Sequence, residues 1–229
     1  MMMMKHLAVC LLLTSLAVGT AADIPPTHGE SLQYTINWPS GLSLGEGKMS
    51  ASRDESGQWN FQLLFDASVP GFAVIDKYTS LTSADQCSLS FEKDMQHGAR
   101  KTREILTFEN GKVVRKTVNG GSSEREVAAC ARDALAFLFH VRRELAQGRI
   151  PSAQDVHYGA SYRVRLEYKG TQKIRVGEAL EDADRLIAHV KGPASDMPLE
   201  FYIGKDAART PLMVKVPIAL ATFSVELVR

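Results

Sequence analysis

On either side of a single helical stretch, the sequence alternates apolar and polar residues at period two. Trp59, Phe61, Leu63 and Phe65 share one face, and Leu32, Tyr34, Ile36 and Trp38 repeat the pattern. Beyond the helical stretch, Tyr162, Val164, Leu166 and Tyr168 alternate with Arg163, Arg165 and Glu167. Successive side chains of a strand point to opposite faces, so such runs predict strands buried on one side. Runs over 78–83, 87–92, 102–108, 113–118, 186–190, 199–203, 212–216 and 222–227 extend the series. Asp54 to Gly57 and Asn110-Gly111 supply turns, the second a hairpin signal. Gly45 and Gly47 interrupt a strand, where glycine marks a bulge or bend. The expected fold is mainly β: a strongly curved antiparallel sheet or open β-barrel. One central helix, over about 133–147, is expected against its concave face.

The helix is legible from its ends. Asp133 can cap its first turn, and Gly148 followed by Pro151 can end it. Ala, Leu, Arg, Glu and Gln sustain it with good propensity. At about 100° per residue its apolar side chains sweep an arc of roughly 200°, wider than one face needs. Leu135, Leu138 and Phe139 lie in that arc, and Arg142 projects into its middle. A guanidinium there either pairs with a buried carboxylate, such as Asp76 or Glu92, or anchors an acidic headgroup beside an apolar cavity.

Residues 1–22 read as a cleaved secretory signal. Lys5 is the charged start, 7–18 the apolar run, and Gly19-Thr20-Ala21-Ala22 the small-residue cleavage site. Roughly a dozen apolar residues are too few to span a bilayer, so no integral membrane protein is expected. Residues 23–229 then form a single β-rich domain, since no repeat or low-complexity linker divides them. The 27 Lys and Arg balance the 26 Asp and Glu once Lys5 is gone. A chain without net charge has no general electrostatic grip on nucleic acid.

Of three cysteines, Cys10 leaves with the signal, and Cys87 and Cys130 remain. An exported chain with two cysteines usually pairs them. The bridge would close a loop of about 40 residues and contribute about 4 kcal/mol in the chain-entropy picture.

Chemical signatures are sparse. No Gly-x-Ser-x-Gly elbow, phosphate loop or dinucleotide fingerprint occurs. The six histidines are scattered, and Asp155-x-His157 has no visible third partner, so neither a metal nor a cofactor is expected. Glu178, Glu181, Asp182 and Asp184 read as a solvated hairpin tip. Arg100, Lys101, Arg103, Lys112, Arg115 and Lys116 read as a solvated strand face, with anion recognition as the alternative.

Four segments in this order carry a resemblance. They are Val74-Ile-Asp-Lys-Tyr-Thr-Ser80, Ser90-Phe-Glu-Lys-Asp94, residues 133–142 and Thr222-Phe-Ser-Val-Glu-Leu-Val228. They resemble the pattern of the bacterial exported proteins grouped as domain-of-unknown-function family 3108 (DUF3108), over about 30–229. The resemblance implies export and a β-rich fold but no activity. Periplasmic localisation follows from it together with the signal.

The resulting expectation is a periplasmic or cell-envelope protein without catalytic residues. It holds an apolar, lipid-like ligand between sheet and helix, at Arg142, Leu135, Leu138 and Phe139. The alternative is an envelope scaffold that binds other proteins.

Overall fold

A computed structural model describes residues 29–69, 72–118, 120–193, 196–218 and 221–229. The signal sequence expected over 1–22 lies outside them.

The first half is a meander. Its strands are β1 (Glu30–Asn37), β2 (Ser43–Arg53), β3 (Trp59–Val69), β4 (Phe72–Thr82), β5 (Ser88–His97), β6 (Arg100–Glu109), β7 (Lys112–Thr117) and β8 (Ser122–Glu126). A short β9 (Arg132–Asp133) leads into α1 (Ala134–Ala146). The second half runs through β10 (Gln154–Tyr158), β11 (Ala160–Val176), β12 (Ala179–Lys191), β13 (Asp196–Gly204), β14 (Pro211–Ile218) and β15 (Ala221–Leu227). All fifteen strands among the described residues form one sheet, in the order β8-β7-β6-β5-β4-β3-β2-β1-β15-β14-β13-β12-β11-β10-β9. Neighbours are antiparallel except β9 and β10. Pairing of β1 with β15, Tyr34 opposite Leu227, joins the two meanders in the middle of the sheet. The mainly β class and large open sheet follow the alternating pattern.

Local chemistry explains particular features. The β1–β2 register slips between Ile36 and Asn37, opposite Gly45. A Cβ on Gly45 would lie 2.1 Å from the Asp66 carbonyl oxygen, so β3 can approach only a glycine there. The Asp133 carboxylate accepts from the Leu135 and Ala136 amides at the helix start. Gly148, at φ 72°, donates its amide to Leu145 O, and Arg149 donates to Glu144 O, which closes the helix with a Schellman pair. β10 was not legible as a strand, because Pro151 and its short length suggest a loop.

The wide apolar arc of α1 has a direct cause. Leu135 and Phe139 belong to one buried cluster with Phe61, Phe91 and Leu106. Phe137, Val141 and Leu145 belong to a second, with Leu186 and Ile203. One helix therefore buries two faces. At about 2 kcal/mol for each large apolar side chain, those five residues contribute on the order of 10 kcal/mol gross. The Cys87–Cys130 disulfide ties the start of β5 to the approach to α1. Beside it the Ser88 amide donates to the Ala131 carbonyl at 2.9 Å.

Candidate functional site

An apolar cavity of about 440 Å³ lies between α1 and the strands. Its helix wall is Ala134, Leu135, Phe137, Leu138 and Val141. β11, β12 and β13 supply Val164, Leu166, Leu186, Ala188, Leu199 and Phe201 among others. β3, β14 and β15 add Leu63, Phe65, Val214, Val216 and Val225. The period-two rows legible in the sequence supply these side chains.

Three tyrosines stand in the wall: Tyr34, Tyr158 and Tyr162. Tyr34 donates to the Pro211 carbonyl at 3.0 Å. Tyr158 donates to the Tyr78 hydroxyl at 2.8 Å, and Tyr78 donates to Asp76 at 3.2 Å. Burial raises the phenols of Tyr34, Tyr78 and Tyr158, with Tyr158 pushed up to about 12 despite the opposing hydrogen bond to Tyr78. These hydroxyls stay protonated at neutral pH. Among the described residues, no charged side chain lines the cavity.

Two of the four residues singled out in the sequence, Leu135 and Leu138, line this cavity. Phe139 stacks on Phe61, ring centroids 3.9 Å apart and planes 9° from parallel. Its ring also lies 4.8 Å from the Arg142 guanidinium carbon. Arg142 forks onto Glu30, with Nη1 and Nη2 each 2.7 Å from a carboxylate oxygen. Its Nη2 and Nε also donate to the carbonyls of Ala208 and Arg209, at 2.9 to 3.2 Å. Asp76 and Glu92 are engaged elsewhere, with His97 and Arg103. Sequence reasoning missed Glu30, which stands 112 positions away. Only the placement of β1 beside β15 could have indicated it.

The helix start carries a second polar centre. Asp133 is fully buried, and its Oδ2 accepts from Ser80 and Ser88 at 2.6 Å each. Its own amide donates to the Ser88 hydroxyl at 2.7 Å. Burial raises this carboxyl above its ordinary range, against four hydrogen bonds that favour the charged form.

Three of the six basic residues singled out, Arg103, Lys112 and Arg115, are held in ion pairs. Lys93 and Arg115 share Glu104, Arg103 pairs with Glu92, and Lys112 pairs with Glu124. Asp184 is not at a solvated tip: it is buried, accepts from Thr171 and Tyr168, and pairs with Arg209 at 2.9 Å. Burial works to raise its carboxyl, but those hydroxyls and the charges of Lys205 and Arg209 hold it below the usual range. His157 is buried in β10 with Nδ1 3.0 Å from the Ser161 hydroxyl. Burial lowers its pKa, helped by Arg125. Among the described residues, no three His, Cys, Asp or Glu side chains gather as a metal site. No described helix is long and apolar enough to cross a membrane.

Known proteins can be set beside this geometry. A family model described as "Protein of unknown function (DUF3108)" matches residues 33–228. The chain belongs to the DUF3108 family. Its fold is similar to a crystal structure of a beta-barrel-like protein of domain of unknown function DUF1849 from Brucella abortus. The TM-score is 0.60 at 10% identity, over 87% of this chain and 95% of the other. At that identity the likeness concerns the fold alone. No curated protein matches the sequence of this DUF3108 protein.

Proposed function

We propose that this DUF3108 protein is exported to the periplasm, where it binds or carries an apolar, lipid-like ligand. The observation that carries this reading is the cavity of about 440 Å³ with its uncharged wall. In this reading α1 closes the concave side of the sheet, and Leu135 and Leu138 touch the ligand. Phe139 and Arg142 act through position, by fixing the helix that bears them. The volume lies within the roughly 300–1,000 Å³ of small-molecule sites. At the ~30 Å³ that a water-sized atom occupies in a liquid, it holds on the order of 15 non-hydrogen atoms. That suits one hydrocarbon chain better than a whole two-chain lipid. The Cys87–Cys130 disulfide supports export, because such bridges persist in oxidising compartments.

Two measurements test the reading. Protein purified from the cell envelope is extracted, and the extract is examined by mass spectrometry for lipid. In parallel, a fluorescent fatty acid is titrated into the delipidated protein. Ala188 lines the cavity and is buried, so Ala188→Phe fills space there. The expected result is uptake by the wild type and loss of uptake in Ala188→Phe, with the thermal transition retained. Equal uptake by both proteins, or none by either, rejects the cavity as the binding site. Envelope crosslinks to proteins, with no lipid recovered, would favour the scaffold reading.

A further inference from the structure

The inward rows change in exposure along the strands. Toward one end they are sealed: Phe61, Leu186 and Ile203 are all buried. Toward the other, the cavity residues Phe65, Met197, Val216 and Val225 are partly exposed. At this open end lie the backbone pairs Val69–Phe72, Lys191–Asp196 and Ile218–Ala221.

The apolar surface continues past the cavity. Phe223 is the cross-strand partner of Val216, and Ile36 that of Val225. Trp38, two residues beyond Ile36, meets Phe223 edge-on at 4.8 Å between ring centroids. The chain then turns back at once, with the Trp38 amide donating to the Leu42 carbonyl at 2.9 Å. Leu42 in that turn is 63% exposed. A half-buried tryptophan, a half-buried phenylalanine and an exposed leucine therefore stand at the open end of the cavity.

We infer that this open end docks on the surface of a lipid bilayer, with Trp38, Leu42 and Phe223 as its contact. The inference rests on the reading that the cavity holds a hydrocarbon chain. Such a chain is poorly tolerated in water, so its carrier gains from meeting a source of hydrocarbon directly. The rim adjoins the cavity through the Val216–Phe223 and Ile36–Val225 pairs, and docking there would let a chain slide between bilayer and cavity with little exposure to water. Aromatic side chains settle at the membrane–water boundary, and a leucine reaches into the acyl region. The charges of 23–229 cancel, so a zwitterionic bilayer is the fitting partner.

The two tryptophans provide the test. Trp59 is buried at 5% exposure, while Trp38 sits at the rim. In a Trp59→Phe protein, emission reports Trp38 alone. That protein is mixed with phosphatidylcholine vesicles whose acyl chains are brominated, a contact quencher, or unmodified. The expected result is a blue shift with unmodified vesicles, loss of most Trp38 emission with brominated ones, and neither in Trp59→Phe/Leu42→Asp. If Trp59→Phe does not fold, the difference between wild type and Trp38→Phe reads the same quenching. Fatty-acid uptake in vesicle-free solution, but no quenching, overturns the docking and leaves the cavity reading intact. Quenching that survives Leu42→Asp also overturns it, because another surface then makes the contact. Absence of fatty-acid uptake removes the cavity reading, and the docking falls with it.

Discussion

Arg142 and Glu30 face each other as a two-pronged ion pair, 2.7 Å at each prong, with side chains 6% and 11% exposed. The pair fastens α1 to the first residue of β1, and the Ala208 and Arg209 carbonyls hold the same guanidinium to the β13–β14 connection. Removing one partner leaves the other charged and buried. Arg142→Met or Glu30→Gln should each lower unfolding free energy by about 3–5 kcal/mol in urea denaturation. The double variant Arg142→Met/Glu30→Leu should recover part of that loss, since an apolar pair carries no desolvation penalty while the Ala208 and Arg209 carbonyls still lose their donor. Single losses below about 1 kcal/mol would make the pair no more than a surface bridge.

Asp133 should be more sensitive to truncation than to neutralisation. Ala at this position removes the helix cap, worth about 1 kcal/mol. It also leaves the Ser80 and Ser88 hydroxyls without their acceptor, at about 1–3 kcal/mol each. Asn keeps an oxygen for the Leu135 and Ala136 amides, and its NH₂ can donate to serine hydroxyls that turn to accept. The expected order of stability is wild type, then Asn, then Ala, with Ala about 3 kcal/mol or more below wild type. Equal losses in Asn and Ala would show that the charge itself is required.

These two centres mark where sequence reasoning succeeds and stops. The Asp133 cap and the Gly148 terminus are local, set by residues within one helical turn, and were legible in order. So was the Cys87–Cys130 bridge, because an exported chain with two cysteines has one way to pair them. The strand walls of the cavity were legible as alternation, though not as a cavity, since alternation fixes a face and not what stands opposite it. Glu30 was not legible as Arg142's partner, because the β1–β15 pairing that positions it is non-local. Asp184 was misread for a related reason. Past an irregularity between Tyr168 and Thr171, β11 and β12 pair as far as Val176 and Ala179, so the tip is Gly177-Glu178 and of the acidic cluster only Glu178 stands on it. Asp184 sits opposite Thr171, well inside the hairpin, where Arg209 from another connection reaches it.

The disulfide should matter most at the start of the helix. Opening Cys87–Cys130 frees a loop of 43 positions in the unfolded chain and releases the approach to α1 from β5. The Cys87→Ser/Cys130→Ser protein should be less stable by about 2–4 kcal/mol, and reduced wild type should behave the same. Amide hydrogen exchange should then rise first in residues 128–137. A uniform rise across the sheet would instead mean that the bridge acts only through the unfolded state.

Acid should weaken the fold before its carboxylates titrate. Burial holds His140 down to about 4 from its ordinary 6.5, with the positive charges of Arg132, Arg143 and Arg149 acting in the same sense and Glu144 opposing them. Burial lowers His157 as well. In each case the unfolded chain binds the proton more readily. This contribution to stability is therefore complete above about pH 6.5 and is lost as pH falls toward 4. Asp133 has the opposite sign: its raised carboxyl favours the folded state at low pH and loses that advantage as pH rises through its folded value. The transition temperature should fall between pH 6.5 and 4, and His140→Gln should flatten the decline. An unchanged slope in that variant would place the titration elsewhere, with His157→Gln as the next measurement.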